Sequence, residues 1–100
     1  MRAPKDCNSM AELRAAIDEL DEALVGLLAE RARYIDRAAE LKPSEGMQAR
    51  IASRVGQVIE NARRAAAEHG IDPDLVETVY RDLIDWSIRR EEQVLGPSAP

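Results

Sequence analysis

From residue 10 onward, apolar residues recur in alternating steps of three and four: Met10, Leu13, Ile17, Leu20, Leu24 and Leu27, then Arg31, Tyr34, Ala38 and Leu41. This spacing is a heptad seam along one helix face, and Leu28 and Ile35 widen it. Ser9, with Glu12 three residues on, fits a capping box, so a helix is expected to start at Met10. Lys42 precedes Pro43, and a pre-proline residue disfavours helical geometry. The helix is therefore expected to run from Met10 to about Leu41, roughly 48 Å at 1.5 Å per residue.

Pro43 to Gln48, with Ser44, Glu45 and Gly46, reads as a loop. A second helix is expected from about Ala49 to Glu68, with Ile51, Val55, Val58, Ile59, Ala62 and Ala66 on its apolar face and Gly70 closing it. Asp72-Pro73 pairs a helix cap with proline at the first helical position. The third helix runs from there to Gly96-Pro97, and its apolar stripe takes in Val76, Val79, Tyr80, Leu83, Ile84, Ser87, Ile88, Val94 and Leu95. The fold class is all-α, with three helices per chain and one of them long. Residues 1–8 read as an N-terminal segment, 9–96 as the helical domain and 97–100 as a tail.

Abundant Ala, a single Thr and no Phe agree with helix throughout. Trp86, Tyr34 and Tyr80 are the only aromatic residues in a chain of 100, and so short a chain buries a low fraction of its surface. The long seam also exceeds what two shorter helices cover, so an intertwined homodimer, with a second copy lying antiparallel, is expected. The formal charge of −5 and the lack of a basic run argue against nucleic acid. No stretch approaches the ~20 apolar residues of a membrane span, and the N-terminus lacks the apolar segment of a signal peptide, so a cytoplasmic protein is expected. One Cys7 and one His69 make neither a disulfide nor a metal cluster, and both read as residues near a terminus or a helix end.

Polar groups on apolar stripes carry the functional signal, because a buried charge must find a partner. Arg31 lies on the seam, and Arg14 and Lys42 share the azimuth of Leu28 and Ile35. Arg54 lies between Ile51 and Val58 in helical spacing, while Ser87 and Glu91 are one turn apart among Leu83, Ile84, Ile88 and Val94. Snorkelling stems explain any one of the cations alone; their joint pattern points elsewhere. Arg31 and Lys42 are three turns apart on nearly one face, about 16 Å along the axis. Arg14 is about 25 Å from Arg31 on the same helix, and reaches it only from an antiparallel partner. Such a convergence describes a pocket for a small dicarboxylate gripped by arginine forks. There is no activated nucleophile or glycine-rich phosphate loop. What remains is a cationic cage that holds a flexible dianion in a reactive conformer and stabilises developing charge.

The run from Leu13-Arg14 through Ile17-Asp18, Leu20-Asp21 and Leu27-Leu28-Ala29-Glu30-Arg31, then Lys42, Arg54 and Ile84 to Glu91, resembles the all-helical chorismate mutase family, which includes isochorismate-pyruvate lyases. The resemblance covers about residues 4 to 95. It implies an intertwined homodimer with two equivalent sites and no cofactor. It assigns Arg14 of the partner chain, Arg31 and Arg54 to the carboxylates and the nearby pocket, and Ser87 to a polar contact. Lys42 and Glu91 are assigned to the ether oxygen on which charge grows. Ile51 and Val55 stand where typical mutases carry acidic groups. Val55 and the Pro4-Lys5-Asp6-Cys7 segment are similar to the lyases, whereas Ser87 and Glu91 are similar to the mutases. Chorismate mutase is the expected activity, isochorismate-pyruvate lyase the alternative. A non-catalytic helical dimer, its inward cations paired with its own carboxylates such as Asp18 or Asp21, is the alternative of a different class.

Overall fold

A computed structural model describes residues 2–99. It is all-helical: α1 spans Met10–Leu41, α2 Ala52–His69 and α3 Pro73–Leu95, with short 3-10 turns at Pro4–Asp6 and Lys42–Glu45. Two compact units divide the chain, one through Arg33 and one from Tyr34 onward.

In the first unit, the Ser9 hydroxyl oxygen accepts the Glu12 N–H at 3.1 Å, as the capping box requires. The Glu12 carboxylate is engaged by the guanidinium of Arg2. The seam is bare on the single chain: Leu24 is 55 % exposed and Leu27 63 %. Ala39, on the part of α1 within the second unit, is the one buried residue among the described residues of this helix.

In the second unit α2 packs on α3. Ala49, Ile59, Ile84 and Ile88 form the core, with Val55, Val58, Tyr80 and Leu95 partly buried around them. Val79 and Val94, expected on the apolar stripe of α3, are instead exposed at 50 % and 70 %; helical spacing sets them to one side of the buried line of Ile84, Ser87, Ile88 and Glu91. Proline ends α1 as expected, and the chain turns through Gly46 at φ 69°, a left-handed conformation that costs glycine little. Gly70 closes α2 at φ 72°, its N–H directed to the Ala66 and Ala67 carbonyls. The Asp72 carboxylate accepts the Asp74 N–H at 2.9 Å and starts α3.

The start of α2 differs from expectation, at Ala52 and not near Ala49. Ile51 is extended, with φ −125° and ψ 108°. The Ala49 carbonyl is taken by the Lys42 ammonium and the Arg50 N–H by the Ser98 hydroxyl, 48 residues on, so side-chain bonds override the helix propensity of this stretch.

Candidate functional site

Ser87 and Glu91 face inward from α3 and are each only 4 % exposed. Their burial follows from the stripe they share with Ile84 and Ile88. The Ser87 hydroxyl donates to the Leu83 carbonyl at 2.7 Å, one turn back. Glu91 meets Lys42, the first residue after α1, whose Nζ lies 2.7 Å from Glu91 Oε1. The same ammonium donates to the Ala49 carbonyl at 2.8 Å. Glu91 Oε1 is buried without an aligned hydrogen bond, so its compensation is the nearby charge and not a directed donor. An ammonium carries three donors; one is given to the Ala49 carbonyl, and another is available to an incoming oxygen.

The remaining sequence-predicted residues are distributed differently. Arg54, expected to border the buried stripe of α2, is exposed and donates to Gln57 Oε1 at 2.7 Å. Its long stem carries the guanidinium outward from a Cα near the stripe. It lines a surface hollow of about 620 Å³ with Ser53, Gly56, Gln57 and Glu60. In the first unit, Arg14 is exposed and Arg31 half-buried on α1. The structure thus joins Lys42 to Glu91 and leaves Arg54 on the surface.

Two polar features were not singled out by sequence reasoning. Arg90 makes a two-pronged contact with Asp36, Nε to Oδ1 at 2.5 Å and Nη2 to Oδ2 at 3.0 Å, and its guanidinium lies 5.4 Å from the centre of the Trp86 ring. These hydrogen bonds hold the Asp36 carboxyl below its ordinary value and the Arg90 guanidinium above its own. The second is the Ala49 carbonyl, which no side-chain pattern reveals.

The sequence model of the chorismate mutase type II family matches residues 13–92 of this chain. The chain belongs to this family. All six residues singled out above, Arg14, Arg31, Lys42, Arg54, Ser87 and Glu91, lie within the matched span. Among chorismate mutase relatives, an isochorismate pyruvate lyase of Pseudomonas aeruginosa is 33% identical over 91 residues, 91% of this chain and 89% of the relative. A 4-amino-4-deoxychorismate mutase of Streptomyces pristinaespiralis is 36% identical over 81 residues, 81% of this chain and 63% of the relative. A chorismate mutase of Methanocaldococcus jannaschii is 28% identical, with 86% of this chain and 87% of the relative covered. Among the described residues no helix is long and apolar enough to cross a membrane.

Proposed function

We propose that the protein is a chorismate mutase that rearranges chorismate to prephenate as a homodimer. The observation that carries the reading is the contact of Lys42 Nζ with the buried Glu91 carboxyl at 2.7 Å in a chain of this family. The rearrangement is intramolecular: the ether C–O bond breaks as a new C–C bond forms, and no atom is gained or lost. It needs no nucleophile. It needs a conformer in which the two ends approach, and a donor for the ether oxygen as charge grows on it.

In this reading Arg31, the partner's Arg14 and Arg54 grip the two carboxylates, and Ser87 adds a polar contact. Arg54 turns from Gln57 to the substrate when the site is filled. Lys42 donates an N–H to the ether oxygen, and Glu91 stands beside it, able to add a second hydrogen bond only in a form that carries a proton. The cage binds the transition state more tightly than the extended ground-state substrate, which is the source of the rate. The bare seam of α1 supports a second copy covering it.

A second reading, isochorismate-pyruvate lyase, is favoured by the Pseudomonas aeruginosa relative, which aligns over most of both chains. The same cage serves either fragmentation or rearrangement. Incubating the pure protein with chorismate and, separately, isochorismate, while following prephenate, salicylate and pyruvate, decides between them. Prephenate from chorismate as the faster reaction is expected; salicylate and pyruvate as the faster products favour the lyase. Arg31→Ala should lower the rate by about 100-fold or more, and Arg31→Lys should restore little of it, because a point charge does not replace a guanidinium fork. Absence of turnover, with no affinity for either dicarboxylate, would leave a non-catalytic helical dimer.

A further inference from the structure

Beyond Leu95 the chain does not trail away. Gly96, at φ 85°, turns it off the end of α3, and the tail then runs back to the segment that precedes α2. The Ser98 N–H donates to Glu92 Oε2 at 2.9 Å, and the Ala99 N–H donates to Gln48 Oε1 at 2.9 Å. The Ser98 hydroxyl oxygen accepts the Arg50 N–H at 2.9 Å. Gln48 donates onward from Nε2 to the Arg50 carbonyl at 2.9 Å. The tail therefore holds the residues on both sides of Ala49, which is itself 4 % exposed.

The Arg50 N–H and the Ala49 carbonyl belong to one peptide group, which is planar and stiff. Ser98 holds the N–H end of that plane. Lys42 Nζ binds its carbonyl end at 2.8 Å, and the same ammonium contacts Glu91 at 2.7 Å. We infer that the C-terminal tail is a strap in which Ser98 acts as a positioning residue: by fixing the Ala49–Arg50 peptide plane it aims the Lys42 ammonium at Glu91 and at the substrate oxygen. Beside these bonds a groove of about 400 Å³ separates Pro43, Gly46 and Met47 from Val94 and Pro97, so hydrogen bonds carry much of the attachment. Ser98 lies beyond the residues matched by the family model.

The inference rests on the reading of Lys42 as the donor to the ether oxygen, and it is tested by measurements that do not all depend on activity. The chain has two lysines, Lys5 and Lys42, so labelling lysine with nitrogen-15 at Nζ gives two ammonium signals by NMR. In Ser98→Ala the Arg50 amide should exchange with solvent faster and the Lys42 signal should shift while that of Lys5 stays in place. Turnover should fall about tenfold at unchanged KM, since misplacing a donor that acts in the transition state costs rate and not ground-state binding. Ser98→Thr, which keeps the hydroxyl, should restore all three, and the melting temperature should hold throughout. An unshifted Lys42 signal, an unchanged Arg50 exchange rate, or full turnover in Ser98→Ala overturns the strap. Should the wild-type chain turn over neither substrate, the proposed activity fails and the two NMR readings alone decide whether the tail positions Lys42.

Discussion

Glu91 is a carboxyl on an apolar face, 4 % exposed, with an ammonium at one oxygen. A buried charge is tolerated only beside its counter-charge, and Lys42 supplies it. The pairing also sets a chemical condition. An ionised carboxylate only accepts hydrogen bonds, whereas the protonated acid and an amide both donate. Glu91→Gln, whose amide still donates, should therefore keep most of the proposed mutase activity, whereas Glu91→Ala should lose it; steady-state rates of the two variants read it. Full activity in Glu91→Ala removes Glu91 from the donor role. The burial of Ser87 and Glu91 with Ile84 and Ile88 was legible in the sequence, because helical periodicity assigns an azimuth to each Cα. Arg54 was less legible for the same reason: periodicity locates its Cα near the stripe but not the end of a long, flexible side chain. Ala49 was not legible at all, since its contribution is a carbonyl that every residue has.

The helices differ in how plainly the chain announces their ends. α1 and α3 stop and start at proline, glycine and an Asp cap, local signals that act through backbone geometry. The start of α2 carries no such cap: Ile51 offers no side chain to the helix. Its boundary follows the bond from Lys42 to the Ala49 carbonyl and the bond from the Arg50 N–H to Ser98, and such side-chain contacts leave no periodic trace. The tie between α3 and the last turns of α1, Arg90 to Asp36, is likewise a contact of residues distant in sequence. Because hydrogen bonds from Arg90 lower the Asp36 carboxyl, this tie adds stability above the unfolded-state value near pH 4, and that stability is lost as pH falls through the lower folded-state value. The Asp36→Asn variant should be less stable than wild type at pH 6, with the difference closing towards pH 2; urea unfolding across that range reads it. Glu77, lowered chiefly by its hydrogen bond from Arg81, titrates in the same sense in both proteins and does not obscure the comparison.

At the scale of the molecule the prominent feature is α1, whose seam lies open on the single chain at Met10, Ile17, Leu20, Leu24 and Leu27. An exposed apolar stripe of this length marks an interaction surface. For the homodimer proposed above, sedimentation should find dimers at micromolar concentration, and Leu24→Glu, which sets a charge in the middle of the stripe, should yield monomers without activity. A stable, active wild-type monomer would falsify the dimer. The heptad pattern made the stripe itself legible, but what covers it is a property of two surfaces and cannot be read from one.

In the proposed homodimer, a helix covered by a second copy also changes how defects add. When each site takes Arg14 from one chain and Arg31 from the other, a chain lacking Arg14 and a chain lacking Arg31 are each inert alone, yet a mixed pair contains one site with both arginines intact. Co-folding equal amounts of the two should return about a quarter of the wild-type activity, the share of sites that random pairing in a twofold dimer leaves whole. The unit that mutation inactivates is then the site and not the polypeptide, and two broken copies repair each other.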